Sequence, residues 1–393
     1  LCPLLMVDFE ARKGKIFMAF SDLSAERSMV EAEWKISSVT EPLLNWYHLS
    51  ARTMPWRSEP SPYRVWLSEI MLQQTRIEAA MGYYRRFMQA LPTVADLAAV
   101  EDDVLLKLWE GLGYYSRARN LKKAAVMVMQ QFGGQIPASY PDLLSLPGIG
   151  EYTAGAIASI SFGIPVPAVD GNVLRVLARL TADREDVLKP AAKKRLSALA
   201  AQMVPADRPG AYNQAIMELG ETICLPNTAP DCSRCPLNDL CEANRLGCAA
   251  ELPVRAPKKE KRLERRTVLV IISEQHDQRR VLLHRRPSSG LLAHLWELPA
   301  VEEWVSAEQA CAAAKELLDA PITLAQPLPE ARHLFSHIEW KMRGFCLTTA
   351  TDHLPPDCVW ADAAELTDVY ALPSAFRAYA RLLPKLLTKE ETI

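Results

Sequence analysis

The stretch Leu146–Arg175, LPGIGEYTAGAIASISFGIPVPAVDGNVLR, decides the fold of the first part of the chain. Gly148 and Gly150 predict a tight turn that opens into an apolar helix beginning at Tyr152. Backbone N–H groups in such a turn, at the positive end of a helix, hold a phosphate oxygen without contacting a base. Asp170 supplies a carboxylate at the start of a second helix, GNVLRVLARL. Each feature alone is more often an ordinary turn or an N-cap. Together they predict binding of a nucleic-acid backbone beside an acid-dependent reaction.

The length and charge of the chain limit the classes of protein that it can be. With 393 residues it is long enough for two domains, each with a buried core. The formal net charge of -2 excludes a protein that coats nucleic acid through bulk positive charge, so phosphate binding must come from local patches. No apolar run reaches the roughly 18 residues that a membrane span needs. We therefore expect a cytoplasmic globular protein that makes no contact with a membrane.

A second segment, YRVWLSEIMLQQT (residues 63–75), carries another carboxyl group of interest. Its apolar residues recur at helical spacing and place Glu69 at the edge of the apolar stripe. Most glutamates at such an edge are solvated, but a carboxyl group between Trp66 and Ile70 would be partly desolvated, which raises its pKa. Asp170, at a helix N-terminus, is expected to be ionised instead. Such a pair suits acid-assisted cleavage of a glycosidic bond, because one carboxyl group protonates the leaving base and the other stabilises the sugar cation.

Several motifs together resemble the MutY-type adenine DNA glycosylases of the helix-hairpin-helix superfamily. They are WLSEIMLQQT, WEGLGYYSRARNL, LPGIGEYTAGAI, AVDGNVLRVLARL and a cluster of four cysteines. The resemblance implies a mainly α-helical catalytic domain, built of a six-helix barrel and an iron–sulfur module. It implies a monomeric base excision repair enzyme that hydrolyses the bond to an adenine mispaired with 8-oxoguanine or guanine in double-stranded DNA. The implied site residues are Glu69 as general acid, Asp170 facing the sugar cation, and Tyr152, Asn172 and Arg57 lining the same pocket.

Tyr152 distinguishes between reaction types within the superfamily. Relatives similar to endonuclease III carry a lysine at this position, whose amine forms a Schiff base with the sugar and then cuts the strand. A tyrosine here predicts a monofunctional glycosylase that leaves an abasic site. The alternatives are a bifunctional glycosylase/lyase of the endonuclease III type, and a non-catalytic DNA-binding clamp. The pairing of Glu69 with Asp170 argues against the clamp, since a clamp has no use for it.

Other positions that match the family lie in segments expected to face DNA. Leu112 and Tyr114 match residues that wedge into the duplex around 8-oxoguanine and replace the stacking that is lost when adenine flips out. Gln74 and Thr75 match residues near the flipped-out site and the opposing base. The helix that follows Tyr114 carries a plausible phosphate patch, although its lysines are as typical of a solvated helix face. The members of this patch are Arg117, Arg119, Lys122 and Lys123.

The cysteine cluster predicts a bound metal. Its spacing is Cys224-x7-Cys232-x2-Cys235-x5-Cys241, and four such thiols suit a structural zinc ion or a [4Fe–4S] cluster. Spacing alone favours zinc, which is the commoner use of four cysteines, whereas the resemblance implies the [4Fe–4S] cluster. The first gap is one residue longer than is usual in the family. Its sequence, LPNTAPD, has no basic residue, so we expect it to add little to DNA binding.

The last part of the chain changes to a strand-like period. TVLVIIS and RVLLHRR read as two strands with a turn at residues 276–278, and a helix is expected near Ser306 to Leu318. The unit resembles the Nudix-like α+β domain that the family uses to read 8-oxoguanine. It lacks the dense array of glutamates that holds Mg²⁺ in Nudix hydrolases, which disfavours a nucleotide pyrophosphatase. Ser336 and His337 match the recognition loop, and Ser336 is the candidate contact to 8-oxoguanine.

These predictions divide the whole chain into four segments. The predicted segments are an N-terminal extension at 1–33, a helical glycosylase domain with its [4Fe–4S] cluster at 34–250, a linker at 251–266 and a Nudix-like domain at 267–393.

Overall fold

The structure is a computed structural model that describes residues 38–257, 260–275 and 278–388. The expected extension at 1–33 and most of the expected turn at 276–278 lie outside these ranges. The chain forms two compact units. The first contains the described residues up to Glu69 together with Ile136–Pro257, and the second contains Ile70–Gln135 and the described part of Lys258–Ile393. No helix within the described ranges has the length and apolar character needed to cross a membrane.

The first unit is built from helices, and residues 38–50 form the first of them. The Glu69 helix, Pro62–Leu72, begins in this unit and ends in the second. The other α-helices are Pro55–Ser58, Tyr140–Ser145, Glu151–Phe162, Gly171–Leu180, Pro190–Met203, Pro209–Thr222 and Glu242–Arg245, and single 3₁₀ turns lie at Cys232–Arg234, Asn238–Leu240 and Ala249–Glu251.

The two central helices of the first unit follow directly from their sequences. The Tyr152 helix, Glu151–Phe162, is apolar on all sides because it is buried along most of its length. It ends at Gly163, whose φ of 66° is the left-handed conformation that favours glycine. The Asp170 helix, Gly171–Leu180, has the bounds that the sequence predicts, because the Asp170 side chain caps its first turn.

The second unit combines helices with a seven-stranded sheet. Its helices are Ile77–Ala90, Val94–Ala99, Asp102–Leu108, Ser116–Gln131, Ala307–Leu318, Ala363–Asp368, Arg377–Ala380 and Leu383–Leu387, with a 3₁₀ turn at Ser374–Phe376. The strands are β1 (Arg262–Ser273), β2 (Arg280–Arg285), β3 (Trp296–Glu297), β4 (Ala300–Val301), β5 (Thr323–Leu334), β6 (Ile338–Thr349) and β7 (Cys358–Ala361).

The sheet order β3-β2-β1-β6-β5 places the 8-oxoguanine loop expected from the sequence at the tip of a hairpin. β5 and β6 pair in antiparallel register, and the residues between them include Ser336 and His337. β1 and β6 pair in parallel along their full length. Separate apolar clusters cover the two faces of the sheet, one of them packed under Ala307–Leu318.

β1 begins earlier than the sequence suggested. Arg262 to Arg266, expected to end the linker at 251–266, are the first residues of this strand. The charged residues are held there by specific contacts to β6, because Trp340 donates to Glu264 at 2.8 Å and Arg266 lies 4.0 Å over the Trp340 ring. Contacts with an aromatic ring and backbone pairing therefore stabilise charged residues of β1 that the sequence suggests are solvated.

We predict opposite effects of alanine at two helical glycines. A Cβ at Gly155 would lie 2.1 Å from the backbone oxygen of Pro167, so Gly155→Ala must push the Tyr152 helix from its neighbour and should destabilise by about 1–3 kcal/mol. A Cβ at Gly82 meets only the end of the Arg86 side chain at 3.8 Å, so Gly82→Ala should stabilise by up to about 1 kcal/mol. Denaturant unfolding measures both, and equal signs would contradict the packing described.

Candidate active site

Glu69 lies in a dry environment on its helix. Its residue exposure is 7%, and its helical neighbours Trp66 and Ile70 are buried. Its side chain accepts a hydrogen bond from the Tyr152 hydroxyl group. Burial raises the pKa of Glu69 to about 7, and the nearby charge of Asp170 adds to this while Tyr152 and Arg57 oppose it. A carboxyl group with this pKa is protonated often enough near neutral pH to act as an acid.

Asp170 has a different hydrogen-bonding environment. Its side chain accepts bonds of 2.8 Å from the backbone N–H groups of Asn172 and Val173, and a third of 2.8 Å from the Asn172 side-chain amide. Burial nevertheless raises the pKa of Asp170 more than these donors lower it. The sequence expectation that the helix N-terminus would dominate is therefore wrong in direction. The three donors still distinguish the two carboxyl groups, because they stabilise the ionised form of Asp170.

Asn172 is itself held by Arg175, which the sequence did not single out as a site residue. Arg175 is 3% exposed, and its guanidinium group donates to the Asn172 side-chain oxygen at 2.8 Å. The same group donates to the carbonyls of Gly220 and Cys224, each at 2.8 Å. The available signal was an arginine within an otherwise apolar stretch of the Asp170 helix. A charge on the buried side of a helix needs several partners.

Arg57 contributes a fixed positive charge to this site. It pairs with Glu218 at 2.9 Å, and Arg52 pairs with the same carboxylate at 2.5 Å. The Glu218 side chain is 1% exposed, so both arginines are anchored to a buried group. The structure thus brings all five sequence-predicted residues of this pocket into one region of the first unit and adds Glu218 and Arg52. The sequence motifs that indicate the site include neither of these two residues.

The turn before the Tyr152 helix exposes its backbone. Gly148 has a φ of 78°, which requires glycine or strain. Gly150 is the N-cap residue with an extended backbone, and a Cβ built there would meet nothing within 4 Å. The open space at the positive end of a buried helix is the arrangement that anions occupy.

In the second unit, two residues distant in sequence meet. The Tyr114 hydroxyl group lies 3.0 Å from the Ser336 side-chain oxygen. Tyr114 is 46% exposed with a φ of 47°, and Ser336 and His337 are exposed. Leu112 differs from the sequence expectation of a wedge, because it is only 7% exposed. The glycine-rich loop turns the leucine inward and the tyrosine outward.

The turn after the Glu69 helix places Gln74 at the surface with a φ of 58°, beside Thr75. The predicted phosphate patch on the helix Ser116–Gln131 is largely wrong. Arg117 donates to backbone carbonyls, and Arg119 donates to the Ala293 carbonyl at 2.7 Å. Lys122 pairs with Asp102, which leaves Lys123 as the exposed member of the patch. Local sequence shows a basic helix face but not the carbonyls that it meets.

The four clustered cysteines are free thiols, with Cys224 buried and the others partly buried. Arg179 donates to the Cys224 sulfur at 3.1 Å, and the Leu237 N–H group donates to the Cys235 sulfur at 3.4 Å. Burial raises the pKa of Cys235 to about 12, with the neighbouring thiols adding to the effect. Across the described ranges, no group of three His, Cys, Asp or Glu side chains is arranged to hold a metal ion. In a [4Fe–4S] cluster each cysteine binds a different iron, and the N–H donors to Cys224 and Cys235 suit thiolate ligands, so the chemistry of these four side chains fits such a cluster.

Both parts of the chain are similar to known protein families. Residues 67–202 match the HhH-GPD superfamily base excision DNA repair proteins, and residues 267–382 match the NUDIX domain family. The human adenine DNA glycosylase is 35% identical over 410 residues, covering 88% of this chain and 74% of that protein. The Arabidopsis thaliana adenine DNA glycosylase is 38% identical over 350 residues, covering 76% of this chain and 55% of that protein. The structure of a thermostable thymine-DNA glycosylase is 26% identical with a TM-score of 0.49, covering 54% of this chain and 97% of that one.

The chain is therefore a DNA glycosylase of base excision repair, with a helical catalytic part followed by a Nudix-like domain. More narrowly, it belongs to the adenine DNA glycosylases, since its similarity to the human protein spans most of both chains. The resemblance and the fold class inferred from the sequence are confirmed.

The raised pKa of Glu69 predicts a dependence of stability on pH. Its pKa is about 7 in the folded chain against 4.5 for an ordinary glutamate. The stabilisation by protonated Glu69 is therefore complete below about pH 4.5 and is lost as the pH rises through about 7. Glu69→Gln should remove a decrease on the order of 3 kcal/mol in the free energy of unfolding over this window. Denaturant unfolding at several pH values measures it. The control is the exposed Glu78→Gln, and an unchanged slope in Glu69→Gln would contradict the assignment.

Proposed function

We propose that this enzyme releases adenine from 8-oxoguanine:A and G:A mispairs in double-stranded DNA without cutting the strand. The observation that carries the proposal is the pairing of Glu69, a buried acid with a pKa of about 7, with Asp170, a carboxyl group that accepts three hydrogen bonds. These are the two properties that acid-assisted cleavage of a glycosidic bond requires. The names of the relatives support adenine as the base.

The proposed reaction follows from the positions of these groups. A flipped-out adenine enters the pocket, and Glu69 gives its proton to adenine N7. The bond between the base and the sugar C1′ atom then breaks, and its electron pair leaves with the adenine. The ionised carboxylate of Asp170 stabilises the positive charge on the sugar. Water adds to C1′ and returns a proton to Glu69, which completes the balance of the reaction.

Neighbouring residues hold the two carboxyl groups in their different states. The chain of hydrogen bonds from Arg175 through Asn172 to Asp170 fixes the orientation of that carboxylate. Tyr152 donates to Glu69 and so directs the remaining part of the carboxyl group. A phenol offers no amine for a Schiff base, and the abasic product therefore remains uncut.

We propose that Cys224, Cys232, Cys235 and Cys241 hold a [4Fe–4S] cluster. The cluster would supply iron–thiolate bonds that cross-link the end of the first unit. Arg179 would donate a hydrogen bond to the Cys224 ligand, as it does in the structure. Arg175 donates to the carbonyl of the same cysteine, so the cysteine segment and the Asp170 helix share two buried arginines.

We also propose that the Nudix-like domain reads the base opposite adenine through Ser336, with His337 beside it. The contact between Ser336 and Tyr114 supports this, because it joins the expected recognition loop to the expected wedge. Gln74 and Thr75 would contact the DNA near the flipped-out site and the opposing base. Gly148 and Gly150 would hold a phosphate of the DNA backbone. Two further statements stay predictions. One is the division of the chain into domains at 34–250, 251–266 and 267–393, and the other is that the protein is a cytoplasmic monomer.

Glu69→Gln should separate catalysis from binding. Glutamine keeps the shape of the side chain but cannot give a proton, so single-turnover adenine release should fall about 10²–10⁴-fold. Duplex affinity should stay within about threefold, since amide and acid occupy the same space. The assay uses a labelled duplex with one central 8-oxoguanine:A pair, with half of each sample heated in alkali.

The wild-type products distinguish the alternatives. Strand cleavage only after alkali supports a monofunctional glycosylase, whereas cleavage without alkali would point to a lyase. Tight binding with no product from a cluster-loaded protein would support the clamp. Equal losses of binding and release in Glu69→Gln would contradict the role of Glu69.

Ser336→Ala should reduce the preference for 8-oxoguanine:A over G:A. A lost polar contact to a base edge is worth about 1–3 kcal/mol, which predicts a decrease of about fivefold to 150-fold in that ratio. Tyr114→Phe is the matched control, because it removes only the hydroxyl group that bonds Ser336. Single-turnover rates on the two duplexes give the ratio. An unchanged ratio in Ser336→Ala would refute a direct contact.

A further inference from the structure

Arg117 makes an unusual set of hydrogen bonds in the second unit. Its guanidinium group donates to the backbone of two segments that are far apart in sequence. One terminal nitrogen donates to the carbonyls of Ile70 at 2.8 Å, Met71 at 3.1 Å and Gln73 at 2.6 Å. The other donates to the carbonyls of Leu112 and Gly113, each at 3.1 Å, and to the Thr75 hydroxyl group at 3.5 Å.

The first segment is the Gln74 turn, which we define as Gln73–Thr75, at the end of the Glu69 helix. The last carbonyls of a helix have no partner within the helix, and Arg117 satisfies those of Ile70 and Met71. Gln74 holds a left-handed φ of 58°, which costs free energy in a residue other than glycine. Such a conformation persists only where surrounding contacts impose it.

The second segment is the wedge loop, which we define as Leu112–Tyr114. Gly113 and Tyr114 both have left-handed backbones, with φ values of 70° and 47°. The Arg117 guanidinium lies 5.3 Å from the Trp109 ring centroid and 5.6 Å from that of Tyr114. Trp109 also donates to the Gly113 carbonyl at 3.1 Å. The loop is thus held in the conformation that exposes Tyr114.

We infer that Arg117 is a positioning residue that locks the wedge loop to the Gln74 turn, so that the two segments open and close as one body. The inference rests on the proposed function in one respect, namely that both segments face DNA. It replaces the phosphate contact that the sequence suggested for this arginine. Its partners are neutral carbonyl and hydroxyl groups, and burial lowers the pKa of Arg117 to about 10, as expected for a guanidinium group removed from water.

Arginine is required for this task for a geometric reason. Its planar fork presents five N–H donors in fixed directions, so two separate segments can be bound by one group. Lysine has the same charge but concentrates its three donors at a single nitrogen. A lysine can bind one segment but not both. Substitution by lysine therefore distinguishes a positioning role of Arg117 from a role of its charge alone.

The test compares Arg117→Lys and Arg117→Met with Arg85→Lys and Arg85→Met, at an exposed arginine of the same unit. The readouts are single-turnover adenine release, the dissociation constant at several salt concentrations, and fluorescence of 2-aminopurine beside the target adenine. Misplacement of a positioning loop costs up to about 100-fold in rate. We expect both Arg117 variants to slow flipping and release by about that factor, with duplex affinity within about threefold and an unchanged salt slope. Both Arg85 variants should behave as the wild type.

A phosphate contact would give the reverse pattern. Lysine would then restore the rate, and methionine would reduce the salt slope by about 0.9. Either result would overturn the inference, as would wild-type flipping in both Arg117 variants.

Amide hydrogen exchange in the wild type tests the lock without a variant that has to fold. Three backbone hydrogen bonds tie the two segments to the residues beside them. The Thr75 N–H group donates to the Leu72 carbonyl, the Leu112 N–H group to the Trp109 carbonyl, and the Arg117 N–H group to the Tyr114 carbonyl. If the segments open together, the three amides exchange with one common free energy of opening. Different values for the turn and the loop would overturn the inference. This readout does not use adenine release, so a wild type without activity would refute the proposed function and leave the lock to be judged by exchange.

Discussion

The removal of one carboxyl group from water is the constraint on which the first unit depends. Glu69 can act as an acid because burial of its carboxyl group raises the pKa more than the hydrogen bond from Tyr152 lowers it. An ionised glutamate there would lose its hydration without a matching cation in direct contact. The fold therefore favours a protonated carboxyl group at this position, where the Tyr152 hydroxyl group donates to Glu69.

The second carboxyl group shows how the same burial is adapted to another role. Asp170 is partly buried, but it caps a helix and accepts three N–H bonds. Burial and donors act in opposite directions on its pKa, and the donors make its ionised form better supported than that of Glu69. Arg175 extends the support, because it orients Asn172 and also reaches the cysteine segment. The helix Gly171–Leu180 therefore carries both the first turn that Asp170 caps and the arginine that supports Asp170.

In the second unit, left-handed backbone conformations set the direction of several side chains. Left-handed residues in the Gln74 turn and the wedge loop direct Gln74 and Tyr114 outward, and Leu112 inward. One guanidinium group satisfies the carbonyls that these bends leave open. Tyr114 then meets Ser336 at the tip of the β5–β6 hairpin. The loop between β5 and β6 of the Nudix-like sheet thereby meets the wedge loop.

The sequence by itself determined the helices that begin near Tyr152 and at Gly171, the fold class and the family, and it predicted Glu69 and Asp170 as the paired carboxyl groups. Caps, apolar period and glycine spacing are local, so a short stretch contains all the information that they need. Tertiary structure decided the rest. Three outcomes depend on atoms brought together from distant segments. They are the balance of burial and hydrogen bonding at Asp170, the choice of Arg117 between phosphate and carbonyl partners, and the outward direction of Tyr114 rather than Leu112. The early start of β1 has the same cause, since Arg262 to Arg266 look solvated until β6 supplies Trp340. The hydration and pKa of a side chain depend on its three-dimensional surroundings, and a local pattern of residues does not specify those surroundings.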